Sequence, residues 1–302
     1  MFLPVHTANP ISVIIPCFNR ADCIADAIES VLADAPEAEL IVIDDGSSDD
    51  SWTVINNFGG LTTRKTANRG VSAARNLGVQ LATRPFLRFL DSDDRFPPGS
   101  TAKLLRWASS EEAPVGLADQ GTYGFPDVTD GASIPLRELF GRTLPMGLVL
   151  LPRERVVAAG GFNERLTIGE DQEFAVRLAK GGLQFRRIDE LVYSVGDKAS
   201  ARVTRASPTT AYEAHLKAIT ALAQLAATEE ERQSLGRLAW RLGRAASIDR
   251  LPSQAETFFA VARRHGGTGV QHGPRPLMAL YGLFHPYRAE RIFASAKRLV
   301  LG

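Results

Sequence analysis

Residues 11–50, ISVIIPCFNRADCIADAIESVLADAPEAELIVIDDGSSDD, carry the pattern that decides the fold. ISVIIP (11–16) and LIVID (40–44) are short apolar runs without polar alternation, as expected of strands buried on both faces, and FLRFL (86–90) is a third of the kind. Between the first two, residues 20–32 place Ile24, Ala27, Ile28, Val31 and Leu32 at helical spacing, and residues 71–81 repeat such a pattern. Strand, helix and strand at close intervals predict an α/β chain with a mostly parallel, wound, Rossmann-like sheet. Right-handed crossovers then gather the ligand-binding loops at the carboxyl ends of the strands.

Farther on, residues 116–132 scatter Gly, Pro and Asp and read as an irregular connection. Residues 148–151 read as a buried strand, 170–179 as a helix carrying Phe174, Val176 and Leu178, and 183–188 and 191–195 as two short strands. From residue 207 to 246 Ala, Leu, Arg and Glu dominate at helical spacing, and 254–264 continue after a break at Pro252. A boundary near 197–208 is expected, with an α/β domain over 1–200 and a helical domain over 201–302.

At 302 residues, 44% hydrophobic and 23% charged, the chain has the composition of a packed globular protein, which excludes the disordered and fibrous classes. No apolar run approaches the roughly 18–20 residues of a membrane-spanning helix. The start, MFLPVHTANP, has neither the charge nor the apolar run of a secretory signal. Cys17 and Cys23 make no disulfide framework and no zinc spacing, so a reducing cytoplasm is the expected compartment. The five histidines show no metal-ligand spacing. The net charge of +1 hides an asymmetry: residues 1–200 carry 20 Lys and Arg against 27 Asp and Glu, and 201–302 carry 15 against 7. An acidic first part argues against a nucleic-acid groove there, whereas the basic last part suits an anionic partner.

Four loops after expected strands carry the candidate chemistry. Pro16, Cys17, Phe18, Asn19 and Arg20 close the first strand; Phe18 is either a core residue at a turn or a flat platform for a nucleobase. In DDGSSDD (44–50), Ser47, Ser48 or Asp49 can cap the next helix, but Asp44 and Asp45 are adjacent carboxylates that want a donor, such as a base N–H or ribose hydroxyls. DSDD (91–94) puts Asp91, Asp93 and Asp94 within four residues around Ser92. That is a hard-oxygen set for Mg²⁺ or Mn²⁺ with positions left for a diphosphate, or else a solvated turn. In NRGVSAARNLG (68–78), Gly70 leads into a helix whose first amides suit an anion, with Arg75 one turn on.

PCFNR, DDGSSDD, NRGVSAARNLG, FLDSDD, GGFNE (160–164) and GED (169–171), in that order, resemble the family 2 glycosyltransferases of the GT-A nucleotide-diphospho-sugar fold. The resemblance covers about residues 10–196. It implies that Pro16, Phe18, Asn19, Asp44, Asp45 and Arg75 hold the nucleotide sugar together with Asp91, Ser92 and Asp93, and that Mn²⁺ or Mg²⁺ sits on Asp93 or Asp94. It also implies that Asp171, beside Glu170, is the base of an inverting displacement on a nucleotide-diphospho-sugar, most simply a UDP-sugar. The acceptor hydroxyl would belong to a saccharide or a lipid-linked glycan in polysaccharide or glycoconjugate assembly. Residues 116–147, with Tyr123, Phe125, Pro145 and Met146, would line the acceptor side.

Two departures from the family pattern follow. Many members place His after the strand that follows the base helix, where this chain has Gly196, so Asp197 or water would substitute. The Gln-Arg-Arg-Trp motif and membrane helices of processive members are absent from the sequence, which implies one sugar per encounter. Residues 276–302 form a basic amphipathic segment that either packs on the domain or rests on an anionic membrane surface at the inner face. The competing functional class is a catalytically silent nucleotide-sugar-binding or scaffold protein, for which Gly196 is the sequence hint.

Overall fold

β1 (Ile11–Cys17) is buried along its whole length, so its apolar residues face protein on both sides of the sheet. β2 (Glu39–Asp44) pairs parallel to it, with Pro16 opposite Ile43 and Cys17 opposite Asp44. A computed structural model describes residues 10–119, 125, 127–196 and 207–266, and in addition 287, 289 and 292. Tyr123, Asp197 and nearly all of the segment 276–302, to which the sequence reading gave roles, lie outside the described residues.

Around β1 the chain builds a five-stranded sheet in the order β3, β2, β1, β4, β6, with β3 spanning Thr62–Lys65, β4 Phe86–Phe89 and β6 Leu151–Pro152. All pairings but one are parallel; β6 runs antiparallel to β4. The crossovers carry α1 (Ile24–Asp34), α2 (Ser51–Asn56) and α3 (Val71–Leu81), of which α1 and α3 bury their apolar stripes. α1 begins later than the periodicity suggests because residues 21–23 form a turn. α4 (Ser100–Leu105) follows the DSDD loop.

A second, two-stranded parallel sheet pairs β5 (Glu112–Ala118) with β7 (Gln184–Tyr193). Three expectations fail here. The irregular connection begins only after β5, which takes in Pro114 and Gly116, two residues that local propensity disfavours in strands. Over the strand expected at 148–151, Leu148 closes a 3-10 turn begun at Met146, Val149 makes an isolated bridge to Val115, and Leu151 opens the two-residue β6. The two short strands expected over 183–195 are one strand, β7, with register shifts against β5 that absorb the break in its pattern. α6 (Arg153–Ala158) and α7 (Glu170–Lys180) complete this part.

The chain divides into two compact units, Met1–Pro135 with Thr143–Arg202, and Leu136–Arg142 with Val203–Gly302. The second unit recruits a helix from the middle of the sequence, α5 (Leu136–Gly141), which nothing in the residue pattern announces. α5 packs on α9 (Glu229–Ile248), which also packs on α8 (Pro208–Leu225) and α10 (Pro252–Arg264). Pro252 opens α10 at its first turn, where its missing N–H costs nothing. Among the described residues no helix is long and apolar enough to cross a membrane.

Candidate active site

The ends of β1, β2 and β4 and the first turn of α7 bring the acidic motifs of the first unit into linked clusters. At the end of β1, Pro16 is buried in the sheet and Phe18 is half-buried. Asn19 adopts a left-handed conformation, φ 53°, that folds its amide onto Ser47 Oγ at 2.9 Å and lets Oδ1 accept from the Ser48 amide at 2.8 Å. Asn tolerates that region better than most residues. The two loops after β1 and β2 are thereby stitched into one surface.

Asp44 and Asp45 are buried, and both carboxylates are engaged by the protein. Asp44 Oδ1 accepts from the Ser47 amide at 2.7 Å, while Lys65 Nζ stands 3.7 Å from Oδ2. Asp45 accepts from the Arg69 amide at 2.9 Å and the Gly70 amide at 2.7 Å, the two backbone donors that immediately precede α3. Asp45 is therefore placed to orient the loop before α3. Asp49 accepts from the Ser51 amide at 3.0 Å, as expected of a helix-start residue.

Arg75, on α3 and with its side chain 4% exposed, is the hub of the site. Its Nη1 stands 2.7 Å from Asp171 Oδ1 and 3.2 Å from Glu170 Oε1, and its Nη2 stands 2.8 Å from Asp91 Oδ1. The Phe162 ring flanks the guanidinium, 5.2 Å from its central carbon. One buried cation thus faces three carboxylates, which raise its proton affinity against the opposing effect of burial. This side chain, which the resemblance sets beside the nucleotide sugar, joins DSDD to GED.

Asp171 lies in the first turn of α7, and its Oδ2 accepts from the Met146 amide at 3.2 Å. Burial raises its pKa, Arg75 opposes that, Glu170 and Asp91 add to it, and the Met146 amide lowers it; the outcome is about 7. A carboxylate so poised exchanges a proton near neutral pH.

The DSDD carboxylates differ in their surroundings. Asp91 is the most open, 43% exposed, and Asp93 has Oδ2 3.7 Å from Arg20 Nε. Ser92 is buried between them. Asp94 accepts from the Tyr193 hydroxyl and, at Oδ1, from the Gly196 amide at 2.8 Å. Burial lifts Asp94 to about 6, against the pull of the Tyr193 hydrogen bond. Among the described residues no three His, Cys, Asp or Glu side chains form a closed cation cage. Hard carboxylate oxygens on one short loop fit Mg²⁺ or Mn²⁺ that draws its other ligands from a substrate diphosphate and water.

Sequence reasoning missed Tyr193, the Met146 amide, Asn76 and Arg88. Asn76 of α3 grips the GGFNE loop, accepting from the Phe162 amide at 2.7 Å and donating to the Phe162 carbonyl at 3.0 Å. The available signal was Asn76 and Arg88 themselves, polar residues inside otherwise apolar patterns.

Residues 12–143 match the family model of Glycosyl transferase family 2. The succinoglycan biosynthesis protein ExoU of Rhizobium meliloti (strain 1021) is 31% identical over 208 residues, 61% of this chain and 61% of that protein. The UDP-Glc:alpha-D-GlcNAc-diphosphoundecaprenol beta-1,3-glucosyltransferase WfaP of Escherichia coli is 29% identical over 106 residues, 34% of this chain and 42% of that protein. The match thus spans less than two thirds of either relative. Among solved structures, S. aureus TarS 1-349 in complex with UDP-GlcNAc aligns with a TM-score of 0.68 at 19% identity, covering 96% of this chain and 91% of that one, a likeness of fold. Through residues 12–143, in its first unit, the chain is thus similar to the family 2 glycosyltransferases.

Proposed function

We propose that the chain moves one sugar from a nucleotide-diphospho-sugar, a UDP-sugar, to an acceptor hydroxyl with inversion. The observation that carries this reading is Asp171, a nearly buried carboxylate poised at about 7 and tied through Arg75 to the loop that would receive the donor diphosphate. Asp171 takes the proton from the acceptor hydroxyl as its oxygen attacks the anomeric carbon from the face opposite the leaving nucleoside diphosphate. The C–O bond to the acceptor forms as the bond to the diphosphate breaks, and a single displacement inverts the centre. Glu170 binds an acceptor hydroxyl or raises the proton affinity of Asp171.

Phe18, Asn19 and the 44–48 loop would hold the nucleoside, and Asp91, Ser92 and Asp93 would face the diphosphate. Mg²⁺ or Mn²⁺ would be held by Asp93, with Asp94 beside it, and when bound would offset the charge that grows on the leaving group. A UDP-sugar donor and a lipid-linked diphosphate acceptor are supported by the name of the WfaP relative, and polysaccharide assembly by that of ExoU. Buried free thiols at Cys17 and Cys23, both pushed up to about 12 chiefly by burial, suit a reducing cytoplasm. There the enzyme would act at the inner face of the membrane, its first unit serving as the transferase domain and its second as a helical companion.

The test is transfer from UDP-sugars to acceptor, monitored by release of UDP, in wild type and Asp171→Asn. The expected result is unchanged donor binding with turnover lowered by orders of magnitude. Retained turnover removes Asp171 as base. Donor binding without turnover in wild type, across donors and acceptors, establishes the silent binding protein instead.

A further inference from the structure

β4 runs through the middle of the sheet, yet its third residue is Arg88, fully buried. Its Nη1 donates to Thr101 Oγ1 at 2.7 Å and to Ser100 Oγ at 2.9 Å, and stands 3.5 Å from Oδ2 of Asp34, whose side chain is fully buried as well. The Phe96 ring centre lies 3.4 Å from the guanidinium carbon. Nη2 donates in the opposite direction, to the Val192 carbonyl at 3.0 Å and the Gly147 carbonyl at 3.4 Å. Burial pushes this guanidinium down to about 9, against the attraction of Asp34. A buried ion pair is weak support for stability, and apolar side chains of the same volume serve a core at least as well. The placement of Arg88 therefore calls for a further reason.

That reason lies in the two carbonyls. Val192 immediately precedes Tyr193, whose hydroxyl donates to Asp94. Gly147 immediately follows Met146, whose amide donates to Asp171 at 3.2 Å. Gly147 also lies flat against the Tyr193 ring, where an added Cβ would overlap the ring carbons. One guanidinium nitrogen therefore fastens two segments that touch each other, and each segment sends one donor to a different candidate carboxylate.

We propose that Arg88 is a positioning residue for sugar transfer: by holding the Gly147 and Val192 carbonyls it fixes the Met146 amide on Asp171 and the Tyr193 hydroxyl on Asp94. The inference rests on the assignment of Asp171 as base. Arg88 touches neither substrate nor reacting atoms and acts through these two segments.

Arg88→Met alone strands the Asp34 carboxylate in the interior, so the main variant is Arg88→Met with Asp34→Asn, and Arg88→Lys is its conservative partner. In the folded double variant kcat should fall by about tenfold or more while donor KM stays within about threefold, since a small misplacement near reacting groups is costly. The ascending limb of the kcat pH profile should move to higher pH, because the amide that lowers Asp171 is no longer held in place. The Tyr193 ¹³Cζ resonance, assigned with Tyr193→Phe, should shift. Arg88→Lys, which keeps a charge beside Asp34 but has no fork for two carbonyls, should fall between. A merely structural Arg88 would lower the melting temperature and leave limb, KM to kcat split and resonance at wild-type values, and that result overturns the proposal. If the double variant does not fold, the same readouts on Arg88→Lys decide. If wild type transfers no sugar, the proposed function fails, and the Tyr193 resonance alone decides Arg88: a shift supports it and an unmoved signal overturns it.

Discussion

The backbone of Gly196 lies against the carbonyl of Asp93 so closely that a Cβ at 196 would overlap the carbonyl oxygen. The Gly196 amide at the same time donates to Asp94 Oδ1 at 2.8 Å. The histidine sought at this position has no space here, and the donors that reach the acidic loop are the Gly196 amide and the Tyr193 hydroxyl. Gly196→Ala should force the 193–196 segment off the DSDD loop, costing about 1–3 kcal/mol in urea unfolding, as other overpacked sites do. Nucleotide binding should weaken in parallel. A Gly196→His variant with wild-type stability and binding would show that the close approach is not required.

In the second unit, Thr228 and Glu231 form a capping box at the start of α9: the Glu231 amide donates to Thr228 Oγ1 at 3.2 Å and the Thr228 amide to Glu231 Oε2 at 3.2 Å. Glu231 Oε2 also accepts from the Ala227 amide at 2.6 Å. Thr228→Ala should cost about 1 kcal/mol, and Thr228→Ser should restore most of it. Because this cap lies outside the first unit, nucleotide affinity should be unchanged in both; a loss of nucleotide binding in Thr228→Ala would show that the units are energetically coupled.

The wound sheet is legible because β1, β2 and, Arg88 apart, β4 are largely apolar and buried and their loops carry compact motifs, a signal that needs only local sequence. β3, with Thr62, Thr63, Arg64 and Lys65, is not, since an edge strand buries little and its polar residues resemble a loop. α5 went unread for a different reason: its burial is supplied by α9, some ninety residues later, and no local pattern reports a distant partner. In the site, residue types at DSDD and GED point to acid chemistry, but spacing along α3 does not reveal that three carboxylates converge on Arg75. Tyr193 and the Met146 amide are hidden in the same way, the first at the end of β7, whose partners lie far off in sequence, and the second in the backbone.

Asn76 faces Phe162 with both ends of its amide, and its Nδ2 also reaches Glu164 Oε1 at 3.1 Å. The loop it grips carries the ring that flanks Arg75, itself packed with its centre 4.2 Å from that of Phe174. Asn76→Ala should cost about 1–3 kcal/mol by leaving the Phe162 amide and carbonyl without partners. Asn76→Asp keeps the shape but turns a donor into an acceptor against the Phe162 carbonyl and Glu164, so it should be no better than alanine. Urea unfolding of the two variants checks this, and an aspartate as stable as wild type would refute the assigned orientation of the amide.

As the proposed base, Asp171 would act only as a carboxylate, so turnover should rise with pH through about 7 and level off above it. Burial is the first cause of the high value, and Glu170 is one of the negative neighbours that add to it. Glu170→Gln removes that charge and should move the limb to lower pH, while Arg75→Gln removes the cation that opposes the rise and should move it higher. Stability follows the same group with a definite sign. The folded protein holds the Asp171 proton up to about 7, whereas the ordinary value is 3.8, so its contribution is full below the ordinary value and is lost as pH rises through the folded one. Asp171→Asn should therefore flatten the decline in stability between about pH 4 and 7, read by urea unfolding at several pH values. Turnover independent of pH across that limb, together with an unchanged stability profile in Asp171→Asn, would mean that Asp171 stays ionised and that its burial is offset by Arg75 alone.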